Sequence, residues 1–88
     1  MKLGGEFVVR RIMDDIVAVP VGQTALRLHG MIMLNDVSKV IWDQLEQGTD
    51  LDSTVAAVTD AFDVSADEAR TDILEFCDKL RALQLLED

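Results

Sequence analysis

The stretch LHGMIMLNDVSKVIWDQLEQGTDL, residues 28–51, changes its hydrophobic period midway. Met31 to Leu34 is an unbroken apolar run. Beyond Asn35, Val37, Val40, Ile41 and Leu45 recur at helical spacing, with Trp42 beside them. Asn35 is a good N-cap and Gly48 a natural stop. The chain therefore passes from a β-rich front to an α-rich back at Asn35.

Working upstream, Ala25 to Leu28 reads as an extended run joined to Met31–Leu34 by a tight hairpin at His29-Gly30. Gly22-Gln23-Thr24 reads as a turn. Ile16 to Val19 is a strand closed by Pro20, which cannot donate to a ladder and so marks an edge or an end. Phe7 to Ile12, FVVRRI, is a β-branched strand broken by Met13-Asp14-Asp15. Working downstream, Asp50 can cap a second helix carrying Leu51, Val55, Val58 and Phe62. Ser65-Ala66-Asp67-Glu68 has the S-x-x-E form of a capping box, with Val64 as a staple against Ala69. The third helix continues through Ile73, Phe76, Leu80 and Leu83 and ends near Leu85-Leu86. The expected fold class is α+β: a winged helix-turn-helix with a small antiparallel β-sheet of three to four strands followed by three α-helices, in a single domain over residues 1–88.

The net charge is −9 and unevenly placed. In residues 1–34, Lys2, Arg10, Arg11 and Arg27 outnumber Glu6, Asp14 and Asp15 by one, which leaves −10 for residues 35–88. Nucleic-acid binding requires basic surface to displace counterions from phosphates. A back half this acidic argues against a nucleic-acid partner and against anionic membrane surfaces. One cysteine, Cys77, allows no internal disulfide and agrees with a reducing, cytoplasmic setting. MKLGGEFVVRR lacks the apolar segment of a signal peptide, and no apolar run approaches the roughly 20 residues of a membrane span.

Little here carries chemistry. One His and one Cys, far apart, are too few for a metal site, and no cofactor is expected. Cys77 with His29 as base would be a nucleophile pair, but Glu75 and Asp78 flank the thiol where a thiolate wants positive surroundings. It reads better as a small hydrophobe beside the helical stripe. Gly4-Gly5 precedes a strand rather than a helix and fails as a phosphate loop. The acids Asp67, Glu68, Asp72, Glu75 and Asp78 read as a solvated helix face. No catalytic site is expected.

The order Val19-Pro20-Val21-Gly22, apolar-Gly at Leu28–Met31, Leu34-Asn35 opening a helix, Ile41-Trp42 within it, Gly48 ending it, then Phe62-Asp63-Val64 and a long helix closing on Leu85-Leu86, resembles the PqqD family over nearly the whole chain. One departure is His29-Gly30, where Asn-Gly is commoner. The resemblance implies a non-catalytic recognition element that holds the leader segment of a ribosomally made precursor peptide. The leader would add as a strand and lie against the third helix, for delivery to a modifying enzyme such as a radical S-adenosylmethionine maturase. It places the peptide along Arg27, Leu28, Met31, Ile32 and Met33, facing Ile73, Phe76, Cys77 and Leu80. Arg27 and Lys79, among the few cations of a largely acidic surface, are expected to pair with acids of the leader. Which face of each strand meets the peptide, and whether the chain forms a homodimer, stay open. The competing function on the same scaffold is a DNA-binding transcriptional regulator, which would need a basic recognition helix in place of this acidic one.

Overall fold

The computed structural model describes residues 1–88. Strand β1 is Lys2–Leu3, β2 is Phe7–Ile12 and β3 is Asp15–Pro20. Helix α1, Gly22–Arg27, leads to β4, Ile32–Leu34. Helices α2 (Asp36–Gln47), α3 (Leu51–Ala61) and α4 (Ala66–Ala82) follow, and β5 (Leu86–Glu87) closes the chain. The expected α+β architecture is present, with a fourth, short helix added. A three-stranded antiparallel sheet in the order β2-β3-β4 forms the wing, and β1 pairs with β5 in a separate two-stranded ribbon.

Two expectations fail at α1. Gly22-Gln23-Thr24 is not a turn, and Ala25–Leu28 is not a strand. Gln, Ala, Leu and Arg are all good helix formers, and six residues are too few to display a period. Gly22 enters with φ +59°, open to glycine without strain. Thr24 is buried and its Oγ1 accepts the Glu6 N–H at 2.8 Å, which ties the helix to the start of β2. His29-Gly30 is therefore a helix-to-strand connection rather than a hairpin turn. The wing is closed by direct pairing of β3 with β4, Ile16 opposite Leu34 and Ala18 opposite Ile32.

The helix ends also differ from expectation. The reciprocal capping box lies at Asn35 and Ser38, whereas Ser65 only accepts the Glu68 N–H, at 3.1 Å. Helix α4 stops at Ala82, short of Leu85-Leu86. Gln84 takes φ +59°, its N–H bonds to Arg81 O at 3.0 Å, and the Leu85 N–H bonds to Leu80 O at 2.8 Å. This Schellman arrangement satisfies the last carbonyls and turns fully buried Leu85 back into the core. β5 can then pair with β1.

One core joins the layers: Ile16, Ala18 and Leu34 from the sheet, Ile41, Trp42 and Leu45 from α2, Val55 and Val58 from α3, and Ala69, Ile73, Cys77 and Leu80 from α4. Trp42 is 0% exposed and meets Phe7 edge to face, with ring centroids 5.0 Å apart. Its Nε1–H has no acceptor.

Candidate peptide-binding groove

The two edges of the wing differ in chemistry. Edge strand β2 carries Arg10 and Arg11, charges that discourage further strand pairing. Edge strand β4, Ile-Met-Leu, carries none. Its outer side leaves backbone N–H and C=O groups free along the sheet edge.

Between β4, the start of α2 and one side of α4 lies a groove of about 480 Å³. Met31, Ile32 and Met33 form one wall, and Phe76, Leu80 and Leu83 the other. Val37 and Ile41 form part of the lining from α2. The α2 cap fixes where that contribution begins. Asn35 Oδ1 accepts the Ser38 N–H and Ser38 Oγ accepts the Asn35 N–H, each at 2.8 Å, so the two polar residues that line the groove at the start of α2 are engaged with each other.

Of the residues expected to hold a peptide, Met31, Ile32, Met33, Phe76 and Leu80 come together here. Ile73 and Cys77 do not. They sit one step round α4, in the core at 0% and 2% exposure. Burial is the main reason the Cys77 thiol pKa is pushed up, with Arg81 partly opposing it, so the group is a packed neutral thiol. Arg27 and Leu28 also lie outside the lining, because Arg27 ends a helix and Leu28 packs on the core. The strand faces are now assigned. Cross-strand partners share a face, so Met33 lies with Arg10 and Val17, which is buried at 3% exposure, on the face opposite to Ile32, Leu34, Ala18 and Ile16.

Sequence reasoning missed Asn35, Val37, Ser38 and Ile41, together with Asp72, Glu75 and Leu83 as groove residues. On α4 the strip itself could be read from sequence, though not that this strip rather than its neighbour lines the groove. Asp72, Glu75, Phe76, Lys79 and Leu83 fall at three- and four-residue steps, a strip beside the buried Ala69, Ile73, Cys77 and Leu80. Nowhere do three or more His, Cys, Asp or Glu side chains gather as metal ligands, and no helix is long and apolar enough to cross a membrane.

No curated protein matches the chain significantly. A solved structure described as "TbiB1 in Complex with the TbiA(beta) Leader Peptide" is similar in fold, with a TM-score of 0.73 and 25% identity, over 99% of this chain and 95% of that one. The model of the family described as coenzyme PQQ synthesis protein D matches residues 22–86, which takes in α1, β4, all three long helices and every residue lining the groove; the chain belongs to the PqqD family.

Proposed function

We propose that this chain is a non-catalytic recognition domain, residues 1–88, that binds the leader segment of a ribosomally made precursor peptide and presents it to a modifying enzyme, of the radical S-adenosylmethionine type. The observation that carries the reading is the uncharged β4 edge running beside an apolar groove against α4. An extended peptide added to β4 pairs its backbone with the free edge, and alternate side chains enter the groove. Each added hydrogen bond is worth about 1 kcal/mol net, and apolar burial adds roughly 25 cal/mol per Å². Family membership supports this reading, as does the leader-peptide complex formed by the structural relative. The DNA-reading alternative finds no support: α4 bears Asp67, Glu68, Asp72, Glu75 and Asp78 against Arg70, Lys79 and Arg81.

The test is an amide chemical-shift titration of the labelled chain with synthetic leader segments of whatever short precursor-like reading frames flank its gene. Shifts are expected at residues 31–34 and along 72–83. Shifts confined to α3, with β4 and α4 untouched, would refute the placement. Where a radical enzyme is encoded with such a precursor, omitting the domain from the reconstituted reaction should slow modification of the full precursor while sparing a leaderless core peptide.

A further inference from the structure

The groove is apolar along its walls, yet three ionisable side chains also line it: Asp72, Glu75 and Lys79, all from one strip of α4. On the three long helices every cation but Lys79 is paired, whereas several acids outside the groove, Asp36, Glu46, Asp60, Asp67 and Glu68, are as unpaired as those within it. Lys39 bonds Asp43 at 2.6 Å, Arg70 reaches Asp52 at 3.7 Å, and Arg81 bridges Asp78 and Asp88 at 3.1 Å each. Asp72, Glu75 and Lys79 take part in none of these ion pairs. Asn35 and Ser38, the other polar lining residues, are already engaged with each other.

Charge complementarity then limits what the groove can hold. Glu75 and Lys79 stand four residues apart, in the order that favours pairing on a helix. Even if Lys79 neutralises Glu75, Asp72 is left uncompensated, so the lining stays net negative in either state. The surroundings reinforce this sign, with −10 carried by residues 35–88. Low-dielectric walls strengthen the field inside a cleft. Of the two cations expected from sequence to attract acids of a leader, Arg27 lies outside the lining, and Lys79 lies within it but is outnumbered there by Asp72 and Glu75.

From this charge pattern, and resting on the peptide-binding reading above, we infer that the groove selects an extended segment that is apolar at alternate positions and carries a lysine or arginine set against Asp72 and Glu75. A segment with carboxylates at that point is rejected. Because both acids lie on an exposed rim, they discriminate between peptides rather than supply most of the affinity.

The experiment pans a displayed library of random 15-residue peptides on the whole 88-residue protein and, in parallel, on Asp72→Asn/Glu75→Gln. Both positions are exposed, so the variant keeps its fold, and a melt verifies it. Peptides held in the groove are recognised by loss of binding to Met33→Ala/Leu83→Ala. The expected result is enrichment of a basic residue among alternating apolar ones. The selected peptides should bind the Asn/Gln variant about threefold to tenfold more weakly. Groove-bound peptides with no basic preference, or with an acidic one, would overturn this inference and leave the peptide-binding function standing. If no peptide depends on Met33 and Leu83, both fail together.

Discussion

Asn35 and Ser38 cap α2 reciprocally, each side chain accepting the other's backbone N–H at 2.8 Å. The pair sits where β4 becomes α2, so it fixes the start of the helix that supplies Val37 and Ile41 to the groove. Asn35→Ala should cost about 1 kcal/mol, the usual loss for a missing N-cap. For a domain of this size that is a fall of about 4–8 °C in melting temperature. Asn35→Ser should recover most of it. An unchanged melt for the alanine variant would show that the cap contributes nothing.

The walls of the groove can be trimmed without touching the core. Met33 is 58% exposed and Leu83 43%, so Met33→Ala/Leu83→Ala should change stability by no more than about 0.5 kcal/mol per site. Leader binding should weaken by about tenfold or more, 1.4 kcal/mol, in a calorimetric titration. Equal affinity in the variant would move the peptide elsewhere. Placing a charge at Cys77 is the wrong experiment for this purpose, since the thiol is in the core and such a variant reports unfolding.

Burial also makes Cys77 a pH-dependent element. With its pKa raised in the folded state, the native chain holds the thiol proton more tightly than the unfolded chain does. The contribution is fully present below the ordinary value of 9.0 and is lost as pH rises through the higher folded-state value. The melting temperature of the wild type should therefore fall more steeply above pH 9 than that of Cys77→Ala, whatever the offset between them. In the native protein at pH 8, an aromatic disulfide reagent should label the thiol only as fast as the chain opens, and at once in denaturant. Immediate labelling of the folded protein would contradict the packing.

Arg10 and Arg11 interrupt an otherwise apolar edge strand, Phe-Val-Val-Arg-Arg-Ile. Replacing both with valine leaves a six-residue β-branched and aromatic segment with no charge on an open sheet edge, the pattern of an aggregating strand. The double variant should gain light scattering and thioflavin binding on incubation under conditions where the wild type stays clear. Arg10→Thr/Arg11→Lys, which keeps one charge, should remain clear. A double valine variant that stays dispersed would show that the edge is protected by something other than these cations.

The long helices were legible because each carries both a stripe and a cap: Val37, Ile41 and Leu45 behind Asn35, Val55 and Val58 behind Asp50, Ile73 and Leu80 behind Ser65. Strands β2 and β3 were legible from β-branched runs bounded by turn residues. α1 was not, because six residues show no period and its anchor, the Thr24 hydroxyl on the Glu6 N–H, joins residues 18 apart in sequence. The two-residue strands β1 and β5 were hidden for the same reason, since each exists only through the other. In the groove, β4 and Phe76 could be read from sequence, but the boundary between core and lining on α4 could not. Cys77 and Phe76 are neighbours in sequence, and only the packing of α3 and the sheet decides which of them turns inward.

Trp42 is the chain's single tryptophan, and there is no tyrosine. Its indole lies at the junction of wing and helices, against the Phe7 ring and one residue from Ile41 in the groove lining. The molecule thus carries one intrinsic fluorophore, sealed from water at the point where its two halves meet. Its emission should be blue-shifted in the native state and move to the red in a single step when the wing detaches. Separation of wing from helices can then be timed in the unlabelled protein, with no dye placed on the surface that a partner must read.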